Sequence, residues 1–145
     1  MKEVRQIHQA LFVLMIGLFG FALLTCSCGH TGAQQEEARG TVLVTTRLDL
    51  DFSKHKATFI ELGADRCIPC KAMQPIMKEI AEEYADRIQV VFYDVWKDPE
   101  PARKYGIQLI PTQVFIDQNG KEIHRHVGFY AKEEILQMLK EKGII

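Results

Sequence analysis

Cys67-Ile68-Pro69-Cys70 sets two cysteines into a C-x-x-C spacing between an apolar run and a helical pattern. Upstream stands Ala57-Thr58-Phe59-Ile60-Glu61-Leu62, the composition of a buried strand. Downstream, Met73, Ile76, Met77 and Ile80 recur at the spacing of one helix face. A C-x-x-C pair at such a strand-to-helix junction places both sulfurs on the first helical turn, where they can close a small disulfide. The unpaired N–H groups and the dipole at that end of a helix stabilise a thiolate. The chemistry this arrangement supports is thiol–disulfide exchange.

The 145 residues give room for one domain of ordinary size and an appendage. Apolar residues at 47% and charged residues at 26% are globular proportions, and a net charge of −1 offers no basic footprint. Nucleic acid is therefore not an expected partner. The appendage is the amino terminus. Lys2 and Arg5 precede an apolar run from Ala10 to Leu24, then Thr25-Cys26-Ser27-Cys28-Gly29, the layout of an export signal or membrane anchor over residues 1–28. Leu23-Leu24-Thr25-Cys26 also resembles a bacterial lipoprotein signal, which makes Cys26 a lipidation candidate, although Thr25 departs from the small residue usual before that cysteine. A cleaved lipoprotein, an uncleaved anchor and simple secretion all fit this pattern. Each puts the rest of the chain on the extracytoplasmic side, because Lys2 and Arg5 favour the cytoplasm. Cys28 is a bystander or the partner of Cys26 in a small disulfide. Residues 29–40 are small and polar and read as a flexible tether, so the folded domain is expected over 41–145.

Within that domain, Thr41–Val44 and Leu48–Phe52 read as strands, the second from its alternation of Leu48, Leu50 and Phe52 with Asp49 and Asp51. Ala57–Gly63 and Ile88–Val95 are near-continuous apolar strands of the kind a sheet covered on both faces requires. The helix between them is expected to run from the motif to about Asp86, with a kink at Pro75. A short helix over Asp98–Tyr105 should end at Gly106. Thr112–Asp117 and Glu122–Val127 flank Asn119-Gly120, a hairpin signal, and Ala131–Lys142 is an amphipathic helix with Ile135, Met138 and Leu139 on one face. The implied fold is α/β, with a mixed parallel and antiparallel central sheet flanked by helices on both faces.

In these residues the chain resembles the thioredoxin family over about residues 41–145. The likeness lies in Cys67–Cys70 followed by Lys71, in Pro75, in Tyr105-Gly106-Ile107, in Ile110-Pro111-Thr112 before the hairpin, and in Gly128. It implies a thioredoxin fold, a cis peptide bond before Pro111, and a protein-disulfide oxidoreductase. It also implies that Pro111 faces the C-x-x-C and that clients meet Arg66, Ile68, Pro69, Ile110 and Pro111. Glu61, six residues before Cys67, falls where the family has a buried acid, usually Asp; its apolar neighbours would raise its pKa, and it would then move the proton of Cys70. Besides Glu61 in place of the usual Asp, three positions depart from the family pattern. Arg66 replaces a tryptophan, Ile68 a glycine, and Phe92 the lysine that accompanies the acid.

Cys67, at the helix start beside Arg66, is the expected attacking thiolate, with Asp65 opposing it somewhat; Cys70, one turn inside, is the expected resolving thiol. A structural disulfide in a binding module or chaperone, and a copper or zinc metallochaperone, are the competing readings. Zinc needs two further ligands, and no second C-x-x-C or C-x-x-H is present; haem attachment needs His where Lys71 stands. No cofactor or metal is therefore expected. His124 and His126 alternate on a strand and read as a solvated face, Tyr93 and Trp96 as core or rim, and Met73 and Met77 as helix packing. Pro69 before the second cysteine, and Ile110 before Pro111, resemble reductases more than strong oxidants. An exported reductase draws electrons across the membrane, so a membrane thiol donor is an expected partner, and cytochrome maturation a pathway such a protein would serve.

Overall fold

The computed structural model describes residues 40–145. The export or anchor segment with Cys26 and Cys28, and the tether up to residue 39, lie outside the described residues. The remainder builds one five-stranded sheet from β1 (Val42–Val44), β2 (Ala57–Gly63), β3 (Ile88–Asp94), β4 (Thr112–Asp117) and β5 (Glu122–Val127), in the order β1-β3-β2-β4-β5. β1 and β2 pair with β3 in parallel, while β4 runs antiparallel to both β2 and β5. Three helices complete it: α1 (Ile68–Glu83), α2 (Glu100–Lys104) and α3 (Lys132–Glu141).

All seven residues of β2 are buried, because the strand has neighbours on both edges and cover on both faces. Phe59 packs with Val90, Phe92 and Phe115 under Met73, Met77 and Ile80 of α1 and Ile135 and Leu139 of α3. The opposite face gathers Ile60, Leu62, Val91, Tyr93, Val114 and Ile116, covered by Leu48, Leu50, Phe52, Tyr105 and Ile107. α1 buries Cys70, Met73, Met77, Ile80 and Ala81, a single stripe at helical spacing, and runs through Pro75 without interruption. It stops at Glu83, short of Asp86, where the Tyr84 N–H still bonds the Ile80 carbonyl at 3.0 Å.

Leu48–Phe52 corrects the expectation of a strand. The segment is irregular and ends in a 3-10 turn over Phe52–Lys54. Its alternation records burial only, since Leu48, Leu50 and Phe52 lie on the sheet face without joining a ladder. His124 and His126 are also more than a solvated face. Both pack on Tyr130, with the His126 ring stacked at a centroid distance of 4.0 Å and His124 Nε2 3.2 Å from the Tyr130 hydroxyl. Tyr93 is core, its hydroxyl donating to the Arg47 carbonyl at 2.5 Å, whereas Trp96 is 62% exposed on the loop after β3. The hairpin closes as its sequence implies: Asp117 Oδ1 accepts from the N–H of Asn119 and of Lys121, both at 2.9 Å, and Gly120 takes a φ of 78°.

Phe115 stacks on Phe59 with centroids 4.7 Å apart and meets the edge of Tyr130. Phe115→Ala should therefore cost about 3–5 kcal/mol in a urea denaturation series. A loss below about 1 kcal/mol would show that the core closes elsewhere.

Candidate active site

The site forms where β2 ends and α1 begins. Gly63 is the last residue of β2, and a Cβ built on it would stand 3.2 Å from Cys70 Sγ and 3.2 Å from the Phe92 ring. Glycine there lets the first turn of α1 lie directly on the strand. The chain then turns through Ala64, Asp65 and Arg66, and Cys67 takes the helix N-cap position with extended backbone angles. Its Sγ lies 3.3 Å from the Cys70 N–H, which donates to it as to any N-cap acceptor. Cys67 and Cys70 are joined in a disulfide with Cα atoms 5.2 Å apart. The two sulfurs are unequally placed: Cys67 keeps 8% exposure and Cys70 none. Both pack against Ala64 and Ile110.

Glu61 lies two residues before Gly63, hence on the same face of β2. It is fully buried, and its partners across the sheet are Phe92 on β3 and Gln113 on β4. Phe92 brings no charge to the acid. Gln113 does reach it, donating from Nε2 to Glu61 Oε2 at 2.9 Å. Burial, which the Gln113 hydrogen bond only partly offsets, pushes the Glu61 carboxyl up to about 8. Glu61 is thus protonated at neutral pH with the disulfide closed. Sequence reasoning found Glu61 and missed Gln113. An amide side chain directly before the apolar Val114-Phe115-Ile116 was the signal available.

The peptide bond between Ile110 and Pro111 is cis, and the Gly128 N–H donates to the Pro111 carbonyl at 2.8 Å. Ile110 touches the cysteine pair, Ile68 is 82% exposed, and Arg66 and Pro69 are exposed beside them. Of the sequence-predicted residues, Arg66, Ile68 and Pro69 are exposed around the cysteines, Ile110 packs on them, and Glu61 and Pro111 are buried. Lys97 joins them unforeseen: it forms ion pairs with Asp65 and, at 3.1 Å, with Asp94. Its positive charge balances the carboxylate that stands two residues before Cys67. Trp96 precedes Lys97 in the chain, and Leu109, next to Ile110, and Phe129, next to Gly128, are exposed apolar side chains. Among the described residues no group of three or more His, Cys, Asp or Glu is placed to hold a metal ion.

A buried strand that carries an acid into a helix capped by one of two paired cysteines defines a thiol–disulfide exchange centre. The thioredoxin family model matches residues 41–141. A thioredoxin from Mycoplasmoides gallisepticum is 34% identical over 99 residues, covering 67% of this chain and 97% of its own. The chloroplastic thioredoxin Y of rice is 35% identical over 85 residues, 59% of this chain, which spans half the length of that relative. Among solved structures, a thioredoxin from Nicotiana alata superposes with a TM-score of 0.60 at 30% identity, over 69% of this chain and 90% of its own. The chain belongs to the thioredoxin family, and it is a thiol–disulfide oxidoreductase of that family.

The buried acid has a measurable consequence. The unfolded chain gives up the Glu61 proton near pH 4.5, whereas the folded disulfide form holds it up to about 8. The unfolded state therefore binds fewer protons in that window, and stability must fall as pH rises through it. Glu61→Gln removes this dependence. The variant should match wild type near pH 4.5 and exceed it by roughly 2–4 kcal/mol at pH 8 in urea melts of the disulfide form. Parallel stability curves for the two proteins would contradict the burial argument.

Proposed function

We propose that the chain is an exported, membrane-tethered reductase of protein disulfides, with Cys67 as the attacking sulfur and Cys70 as the resolving one. The observation that carries this reading is the unequal placement of the two sulfurs, one at the open helix start and the other sealed on the strand that holds Glu61. In the dithiol form the Cys67 thiolate, stabilised by the helix N-terminus, attacks a client disulfide. The client S–S bond breaks, a mixed disulfide forms, and one client sulfur leaves as a thiolate that takes a proton from water. Cys70 then passes its proton to ionised Glu61 and attacks Cys67 Sγ. The internal disulfide closes, and the second client sulfur leaves and is protonated. The client gains two electrons and two protons, and the cysteine pair loses the same.

Arg66, Ile68, Pro69, Ile110 and Pro111 form the surface that meets the client, with the apolar side chains of the rim excluding water around the reacting sulfurs. The reductive direction rests on Pro69 within the motif and Ile110 before Pro111. The extracytoplasmic location rests on the basic, apolar and cysteine-ended pattern of residues 1–28, and Cys26 is the lipidation candidate within it. A membrane thiol donor then supplies electrons, and cytochrome maturation is a process that would consume them.

Cys70→Ala should accumulate mixed disulfides with client proteins on non-reducing gels, and Cys67→Ala should not. Equal trapping by the two variants would overturn the assignment of roles. Full activity of Cys67→Ala would instead favour a binding module with a structural disulfide. Copper or zinc bound stoichiometrically by the reduced chain would favour a metallochaperone.

A further inference from the structure

Four residues form one row across the sheet on the face that α1 covers: Phe92 on β3, Glu61 on β2, Gln113 on β4 and His126 on β5. Gln113 is fully buried, and both hydrogens of its amide are used. Nε2 donates to Glu61 Oε2 at 2.9 Å and to the Gly128 carbonyl at 3.0 Å. Gly128 is itself held, its N–H on the Pro111 carbonyl at 2.8 Å, and its φ of 98° is one that glycine adopts readily. This second bond decides which end of the amide faces the acid. A flipped Gln113 would set its oxygen against the Gly128 carbonyl with no hydrogen between them. Within this row two buried oxygens have no hydrogen-bond partner, Oε1 of Glu61 and Oε1 of Gln113. A buried oxygen left in this way is costly unless a proton comes to it.

We propose that Gln113 is the positioning residue of the proton relay: anchored on the Gly128 carbonyl, its amide holds Glu61 by Oε2 and leaves Oε1 as the atom that exchanges the proton with Cys70. The proposal rests on the reading of Glu61 as the proton carrier. The relay balances without any further reactant: Cys70–SH and ionised Glu61 become Cys70 thiolate and neutral Glu61, and the proton returns to water after the internal disulfide has closed. The amide also favours the ionised acid, because it donates to the carboxyl and the donation is stronger to a charge. The titratable groups near this row are few. α1 contributes Cys70, which carries no proton while the disulfide is closed. β5 contributes His126, separated from Glu61 by Gln113 and engaged with the Phe129 carbonyl at 3.1 Å. Tyr130, stacked on His126, is held above its ordinary range by burial.

The test is a pH titration of the full-length disulfide form, with NMR following the Glu61 carboxyl carbon, the Gln113 side-chain amide and the His126 ring. In wild type the Gln113 amide signals should move with the midpoint of the Glu61 carboxyl carbon. This measurement needs no substitution, and amide signals that stay flat through the Glu61 transition overturn the proposal. In Gln113→Met, which keeps the shape and loses both donors, the Glu61 midpoint should rise by about one pH unit or more. An unchanged midpoint likewise overturns the proposal. Kinetics then separate the two readings. At pH 7 Gln113→Met should slow the resolving step about tenfold, in line with a tenfold smaller ionised fraction, and leave the initial attack by Cys67 unaltered. In a Glu61→Gln background the same substitution should add nothing to the slowing. An equal further slowing there would mean that Gln113 acts through the fold alone, against the proposal. Unaltered kinetics of Glu61→Gln, with the midpoint shift of Gln113→Met present, would reject Glu61 as proton carrier while upholding Gln113 as the group that holds it.

Discussion

A carboxyl group in the middle of a strand buried on both faces is the constraint around which the site is organised. β2 has no exposed residue, so Glu61 cannot be solvated and no cation reaches it across the sheet. Such a group stays neutral near pH 7 unless something accepts its proton or stabilises its charge. The same strand ends in Gly63, which admits Cys70, and leads within four residues to the N-cap cysteine. The acid and the two sulfurs are therefore placed by one rigid element and the helix seated on its end. The loops only complete the rim.

Two electrostatic environments follow, a few residues apart. Cys67 caps the helix N-terminus and keeps a small exposed area, and Lys97 balances the charge of Asp65 two residues upstream. Cys70 meets apolar packing and the end of the strand that carries Glu61. A thiolate is favoured at the first sulfur and disfavoured at the second unless a base stands ready. In the proposed mechanism that asymmetry orders attack by Cys67 before resolution by Cys70. A cation in place of Phe92 would lower the pKa of Glu61, whereas the Gln113 amide stabilises the charge without supplying one.

Elements with complete patterns were legible from the residues alone. β2 coincides with its apolar run, β4 and β5 with the segments flanking the Asn119-Gly120 hairpin signal, and the helical stripe of α1 is the buried stripe observed. The cis peptide before Pro111 agrees with the family resemblance. Alternation misled at Leu48–Phe52 because period two reports which side chains are buried, and an irregular segment lying on a sheet face satisfies it as well as a strand does. His124 and His126 were read without Tyr130, which reaches them only after the chain turns at Gly128. Gln113 and Lys97 were missed for a similar reason. Each matters through a partner distant in sequence, 52 and 32 residues away, that only the sheet register and the loop after β3 bring close.

The central claim is that Cys67 and Cys70 form a working redox pair run in the reducing direction, and its midpoint potential tests this most directly. Equilibrating the full-length chain in dithiothreitol and glutathione buffers should give a single two-electron couple near about −270 mV, the region of reducing thioredoxins. A potential well below about −300 mV would mark a structural disulfide. One near about −120 mV would mark an oxidant. Either result would contradict the account.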